Sequence, residues 1–250
     1  MKKKTGTGKK KLLETLGEKP QLIACDAPFE YTEAFKELRT NINFVASKNK
    51  AAGKGCKILV TSSVPGEGKT TTAINIALSL AEGKNKVLLI DADMRNPAVR
   101  KYLDLEQTNI TGLSVLLNND IKLSDCLIRT KYGVDVIANG PLLPNPAELI
   151  KSEAMQGLLR GAEEHYDYII MDTPPVGVIT DAAALSNLCD GVIYVIRYAY
   201  ASRKQVHQSI KKLQMVDAKI LGTVMTHYEI PKQSGGAYGY SRKYKYGYGK

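Results

Sequence analysis

Between an apolar run at 57–60 and an alanine- and isoleucine-rich stretch from 73 onward, the chain reads Thr61-Ser62-Ser63-Val64-Pro65-Gly66-Glu67-Gly68-Lys69-Thr70-Thr71. A strand that ends in a glycine-rich turn and passes straight into a helix is the pattern of a phosphate loop. The glycines let successive backbone N–H groups converge on phosphate oxygens, and the helix N-terminus adds its dipole. On this reading Val64, Pro65, Gly66, Glu67, Gly68, Lys69, Thr70 and Thr71 hold a nucleotide. Lys69 reaches the β- and γ-phosphates and the Thr70 hydroxyl faces Mg²⁺. Ser63 stands where GxxxxGK[ST] asks for glycine, so the strand–loop–helix context carries the match. A ligand-free glycine-rich turn is the plainer alternative, and two acidic strand ends weigh against it.

The first of these is Val87-Leu88-Leu89-Ile90-Asp91-Ala92-Asp93, the second Tyr168-Ile169-Ile170-Met171-Asp172. In open parallel sheets ligands sit beyond the carboxyl ends of the strands, so Asp91, Asp93 and Asp172 are expected beside Lys69. Mg²⁺ is a hard ion that prefers oxygen ligands and keeps its own waters, which suits Thr70 and these three acids as its shell. Asp172 is the Walker-B-like candidate. Asp91 is the candidate for orienting, or taking the proton of, an attacking hydroxyl. The catalytic set is thus Lys69, Asp91, Asp93 and Asp172, and the cofactors are ATP and Mg²⁺.

Elsewhere short β-branched runs alternate with helical patterns, the signature of an α/β fold whose mostly parallel sheet is flanked by helices. Strands are expected near 57–62, 86–91, 134–138, 168–172, 191–197 and 219–225, and helices near 70–81, 146–164, 181–188 and 203–216. Thr180 and Ser202 are N-cap candidates and Gly83 a stop. Residues 112–118, 123–127 and 141–146 read as connections or short helices. An amphipathic helix over 29–47, with Thr32 as N-cap, would put Phe35, Leu38, Ile42 and Val45 on one face and Glu33, Lys36 and Arg39 on the other. The division is a basic arm at 1–28, a helix at 29–47, the P-loop domain at 48–230 and a tyrosine-cluster tail at 231–250.

The formal charge of +10 invites a nucleic-acid reading, so its location matters. Residues 1–20 hold seven Lys against two Glu, +5, and residues 227–250 hold five Lys or Arg against one Glu, +4, which leaves about +1 for 21–226. The folded part is nearly neutral, so no nucleic-acid partner is expected; the two basic ends read either as solvated, disordered segments or as segments that lean on anionic lipid. Cys25, Cys56, Cys126 and Cys189 lack CxxC spacing and read as reduced thiols of a cytoplasmic protein. No apolar run approaches the ~20 residues of a bilayer-spanning helix, and the lysine-rich start has no signal-peptide core.

Five of the fourteen tyrosines, Tyr238, Tyr240, Tyr244, Tyr246 and Tyr248, crowd into the last thirteen residues among Gly, Ser, Lys and Arg. A low-complexity tail that stacks on aromatics is one reading. Beside an ATP site, a set of phenols that enter that site in turn is the other.

These blocks together resemble the bacterial tyrosine kinases of capsule and exopolysaccharide synthesis, in their cytosolic CpsD/CapB form. The likeness spans about residues 29–250 and adds Glu33-Ala34-Phe35-Lys36-Glu37-Leu38-Arg39-Thr40-Asn41, Pro144-Asn145-Pro146-Ala147-Glu148-Leu149, Thr173-Pro174-Pro175-Val176 and Thr180-Asp181-Ala182. The resemblance implies an ATP-dependent protein-tyrosine kinase that autophosphorylates its tail in trans and regulates polymer synthesis and export, with Asp91 as base. It also implies a membrane adaptor of the polysaccharide co-polymerase type that activates the chain and recruits it to the inner face of the membrane. A cognate tyrosine phosphatase and a ring of subunits joined through Glu33, Lys36 and Arg39 complete it. The family's helix has Glu-x-x-Arg-x-x-Arg. Lys36 here exchanges one bidentate guanidinium for a point charge, which predicts weaker joints. Met225-Thr226-His227 replaces the expected Asn near the base, so adenine recognition has no assigned residue. The alternative is a ParA/MinD-like positioning ATPase. Its signature lysine would stand where this chain has Val64.

Overall fold

Residues 56–62 read Cys-Lys-Ile-Leu-Val-Thr-Ser, and an apolar run of this kind has to be covered on both faces. The computed structural model, which describes residues 20–105, 111–118, 121–142 and 145–228, places this strand inside the sheet. The strands are β1 (Cys56–Ser62), β2 (Val87–Asp91), β3 (Leu127–Arg129), β4 (Val134–Ile137), β5 (Tyr168–Asp172), β6 (Gly191–Arg197) and β7 (Ile220–Thr226). Their order is β3-β4-β2-β5-β1-β6-β7, parallel throughout except for the antiparallel β3–β4 pair.

Because side chains alternate along a strand, the sheet feeds two cores. Val60, Leu89 and Ile170 point into the first, beneath α1 (Phe29–Ala51), α2 (Lys69–Glu82) and α3 (Val99–Tyr102). Leu59, Ile90, Met171 and Tyr194 point into the second. That side is covered by the short α4 (Leu113–Asn118), α5 (Leu123–Cys126) and α6 (Pro146–Ile150), then by α7 (Glu153–His165), α8 (Asp181–Ser186) and α9 (Arg203–Gln214). None of the four cysteines is in a disulfide, and none of the described helices is long and apolar enough to cross a membrane.

Several local expectations change. The helix from Phe29 runs past its expected end at 47 to Ala51, since Lys and Ala propagate a helix and the first breaker is Gly53, at φ +68°. Thr32 is not its N-cap: it lies inside the first turn and its hydroxyl donates to Pro28 O at 3.3 Å. Phe35, Ile42 and Ala46 carry the buried face, with Leu38 and Val45 half-buried beside them. The helix expected over 146–164 is two helices, because the Ser152 hydroxyl accepts from Met155 N and caps a new start. Thr180 makes no side-chain cap, whereas Ser202 and Gln205 form a full capping box. A seventh strand, β3, follows α5 where no strand was expected. Three residues are too few to show a period.

Candidate functional site

The phosphate loop joins β1 to α2. Gly66 and Gly68 sit at φ +83° and +90°, the left-handed region open to glycine at little cost, and Gly68 N-caps α2. The segment after β5 is laid against the same turn. The Thr61 hydroxyl donates to Pro174 O at 2.9 Å and accepts from Val176 N at 3.2 Å. A Cβ at Gly177 would fall 2.0 Å from Ser63 O, so only glycine permits this approach.

Asp91 and Asp172 end neighbouring strands and are register partners across the β2–β5 ladder. Both are fully buried and, by strand alternation, face the α2 side, where Thr70 opens the helix. Among the described residues both Asp172 oxygens and Asp91 Oδ1 have no hydrogen-bond partner, while Asp91 Oδ2 accepts from Val99 N at 3.2 Å. Thr70 lies near enough to favour the Asp172 carboxylate without closing a hydrogen bond to it. Lys69 Nζ pairs with Asp93 Oδ2 at 3.1 Å. Asp93 Oδ1 is also engaged, accepting from Asn96 N at 3.0 Å and Arg95 N at 3.3 Å.

Burial is the main force on these acids. It pushes Asp91 well above the usual carboxylate range; the Asp172 charge adds to this and the Val99 N–H opposes it. Asp172 is raised to about 6 by burial, against the pull of Lys69 and Thr70. For Lys69 burial works the other way, but the charges of Asp172, Asp93 and Asp91 outweigh it and hold the ammonium above the ordinary lysine value.

Buried carboxylate oxygens without partners are costly, and a hard cation is the group that removes the cost. The donors present fit Mg²⁺, which needs only one or two carboxylates and takes its other ligands from water and phosphate. Among the described residues no three His, Cys, Asp or Glu side chains converge as a ready cage, and Asp93 is already committed to Lys69 and to its own turn. Asp172 and Asp91 are thus the open pair of the expected four.

The structure therefore gathers Lys69, Thr70, Asp91, Asp93 and Asp172 in one place. Tyr238, Tyr240, Tyr244, Tyr246, Tyr248, Pro144 and the arm at 1–19 lie outside the described residues. Glu33 and Lys36 pair with each other at 2.7 Å, and Arg39 turns inward, donating to Ser79 O of α2 at 2.5 Å. Residues missed from sequence are Arg197 and Thr226, at the ends of β6 and β7, and Arg95, which pairs with buried Asp181 at 3.2 Å. Arg197 and Thr226 are the last residues of their strands and Arg95 follows the end of β2, and this place at the carboxyl edge of the sheet is the one signal that would have marked them.

A central parallel strand followed by a phosphate loop, with acids ending the next two strands, defines a P-loop NTPase. A family model described as an AAA domain matches residues 56–224. Tyrosine-protein kinase YwqD of Bacillus subtilis (strain 168) is 38% identical over 210 residues, 84% of this chain and 85% of that one. Tyrosine-protein kinase CpsD of Streptococcus pneumoniae is 34% identical, covering 85% and 91%. The kinase domain of Escherichia coli tyrosine kinase ETK superposes with a TM-score of 0.78 at 30% identity, covering 86% and 82%. The chain belongs to this AAA-domain family and, within it, to the tyrosine-protein kinases rather than the positioning ATPases. A more distant structure, cobyrinic acid a,c-diamide synthase from Mycobacterium smegmatis with ADP and magnesium, shares the fold at a TM-score of 0.59 and 25% identity, over 70% and 75%.

Proposed function

We propose that this chain binds Mg-ATP at the loop 64–71 and transfers the γ-phosphoryl to tyrosines, first among them Tyr238, Tyr240, Tyr244, Tyr246 and Tyr248 of a neighbouring copy. The observation that carries the reading is the in-register pair Asp91 and Asp172 beside Lys69, with carboxylate oxygens that no described residue hydrogen-bonds. Mg²⁺, held by Asp172 and Thr70 with Asp91 alongside, supplies charge neutralisation at the β- and γ-phosphate oxygens. Lys69 leaves Asp93 for the phosphates, and Asp93 keeps the 93–96 turn in place through Asn96 N and Arg95 N. Asp91 orients the phenol and takes its proton on Oδ1, and its raised affinity for a proton suits it to that task.

The resemblance supports the wider setting: control of capsular or exopolysaccharide synthesis and export, activation by a membrane adaptor that brings the chain to the inner membrane face, reversal by a phosphatase, and a ring assembled through Glu33, Lys36 and Arg39. Full-length protein incubated with Mg-ATP and the adaptor's activating segment should give an anti-phosphotyrosine signal on 231–250. In Lys69→Met that signal should fall by at least about a hundredfold. Undiminished signal in the variant would sink the proposal.

A further inference from the structure

Glu67 puts a carboxylate inside a loop that has to receive an anion, and unlike the neighbouring positions it is fully buried. Its Oε2 accepts from Val64 N at 2.8 Å, across the turn. Its Oε1 accepts from Arg197 N at 3.3 Å, at the end of β6. Its carbonyl accepts from the Thr226 hydroxyl at 2.8 Å, at the end of β7. One residue earlier, Gly66 O accepts from the Arg197 guanidinium at 3.1 Å, and that guanidinium stacks on the Tyr200 ring at 4.7 Å. Thr226 is packed so closely that a Cβ at Gly68 would lie 3.3 Å from its methyl carbon. Both oxygens of the acid are thus spent on backbone N–H groups, and the loop is fastened to two strand ends beyond the one it follows.

We infer that Glu67 is a positioning residue: its side chain straps the phosphate loop to β6 while its carbonyl ties the loop to β7, and together they hold the loop open for phosphate before any nucleotide arrives. The inference rests on the nucleotide reading above and adds to it a residue that acts through the loop backbone rather than by touching ligand. Two effects of the acid oppose each other. Its charge repels phosphate, whereas its geometry preorganises the N–H groups that bind phosphate. Glu67→Gln separates them, because it keeps the shape, removes the charge and leaves one of the two N–H groups facing an amide NH₂. If the strap dominates, the neutral variant binds nucleotide more weakly despite the lost repulsion.

The test uses the full chain with Mg²⁺ and mant-ADP as the fluorescent probe, together with steady-state kinetics of tail phosphorylation and a melt of the ligand-free protein. In Glu67→Gln the Kd for mant-ADP and the KM for ATP should rise about tenfold or more, with kcat within about threefold of wild type. A lower melting temperature with unchanged mant-ADP affinity would make the contact merely structural and overturn the inference. Tighter binding, or a fall in kcat with affinity intact, would overturn it too. If Glu67→Gln does not fold, Thr226→Val removes the hydroxyl on the Glu67 carbonyl, together with its contact to His227 Nδ1, and should still weaken mant-ADP about threefold; wild-type affinity there would overturn the strap. Wild-type protein that fails to bind mant-ADP would defeat the nucleotide reading and the strap with it, whereas binding undiminished in the variants defeats the strap alone.

Discussion

Asp172 is held at a protonation energy that favours function over stability. Its pKa of about 6 in the fold, against about 3.9 in an unfolded chain, means that the native state binds the extra proton between those values. The native protein is then favoured at the acid end of that window, and the contribution is lost as pH rises through 6. The ligand-free protein should accordingly gain on the order of 2 kcal/mol from this group on acidification from pH 7 to 4, and Asp172→Asn should flatten that limb of a denaturant-midpoint profile. The same variant should be more stable than wild type at pH 7 while losing phosphotransfer, the trade expected where an active site stores an unpaired charge. Mg-nucleotide reverses the slope, because a metal competes with the proton, so mant-ADP affinity should rise with pH through about 6. A flat affinity profile in wild type would remove Asp172 from the ion's shell.

At the level of elements, most of the fold was legible because most of its strands are continuous apolar runs. β5 and β6 fall where the sequence put them, 168–172 and 191–197, and the phosphate loop was legible through its context despite Ser63. What was hidden depends on tertiary choices. Ser152 breaks a helix whose apolar spacing continues on both sides of it, since its hydroxyl gains more by capping than by lying mid-helix. Arg39 reads from spacing as lying with Glu33 and Lys36 on the face opposite the apolar one, yet its guanidinium reaches over α2 to Ser79 O and lies 3.7 Å from Glu82. Neither contact leaves a trace in the periodicity. Arg39→Ala should therefore lower the stability of the chain itself by about 1 kcal/mol, read as a shift in denaturant midpoint without a change in slope. An assembly defect in that variant has to be judged against this loss. Glu67 reads as part of the loop, but its inward direction is hidden, because nothing in a Gly-Glu-Gly triplet says where the acid points.

Across the whole molecule, charge and chemistry are segregated. The nearly neutral core carries the acids and the loop, while the cationic stretches and the tyrosine cluster belong to the two ends. If the tail is substrate only, removing residues 231–250 should leave mant-ADP affinity within about twofold and abolish phosphotyrosine on the chain. The shortened protein should then still label the tail of a Lys69→Met copy when the two are mixed. Failure of that mixture would argue against transfer between copies.

Asp91 and Asp172 are anchored to hydrogen-bonded neighbours in the middle of a seven-stranded sheet, so the spacing between them is set by the ladder and not by any hinge. Turnover in such an enzyme has to be governed by what is delivered to a rigid anvil. What can vary is when a phenol arrives and how the nucleotide is gripped, while the distance at which the two acids wait stays fixed.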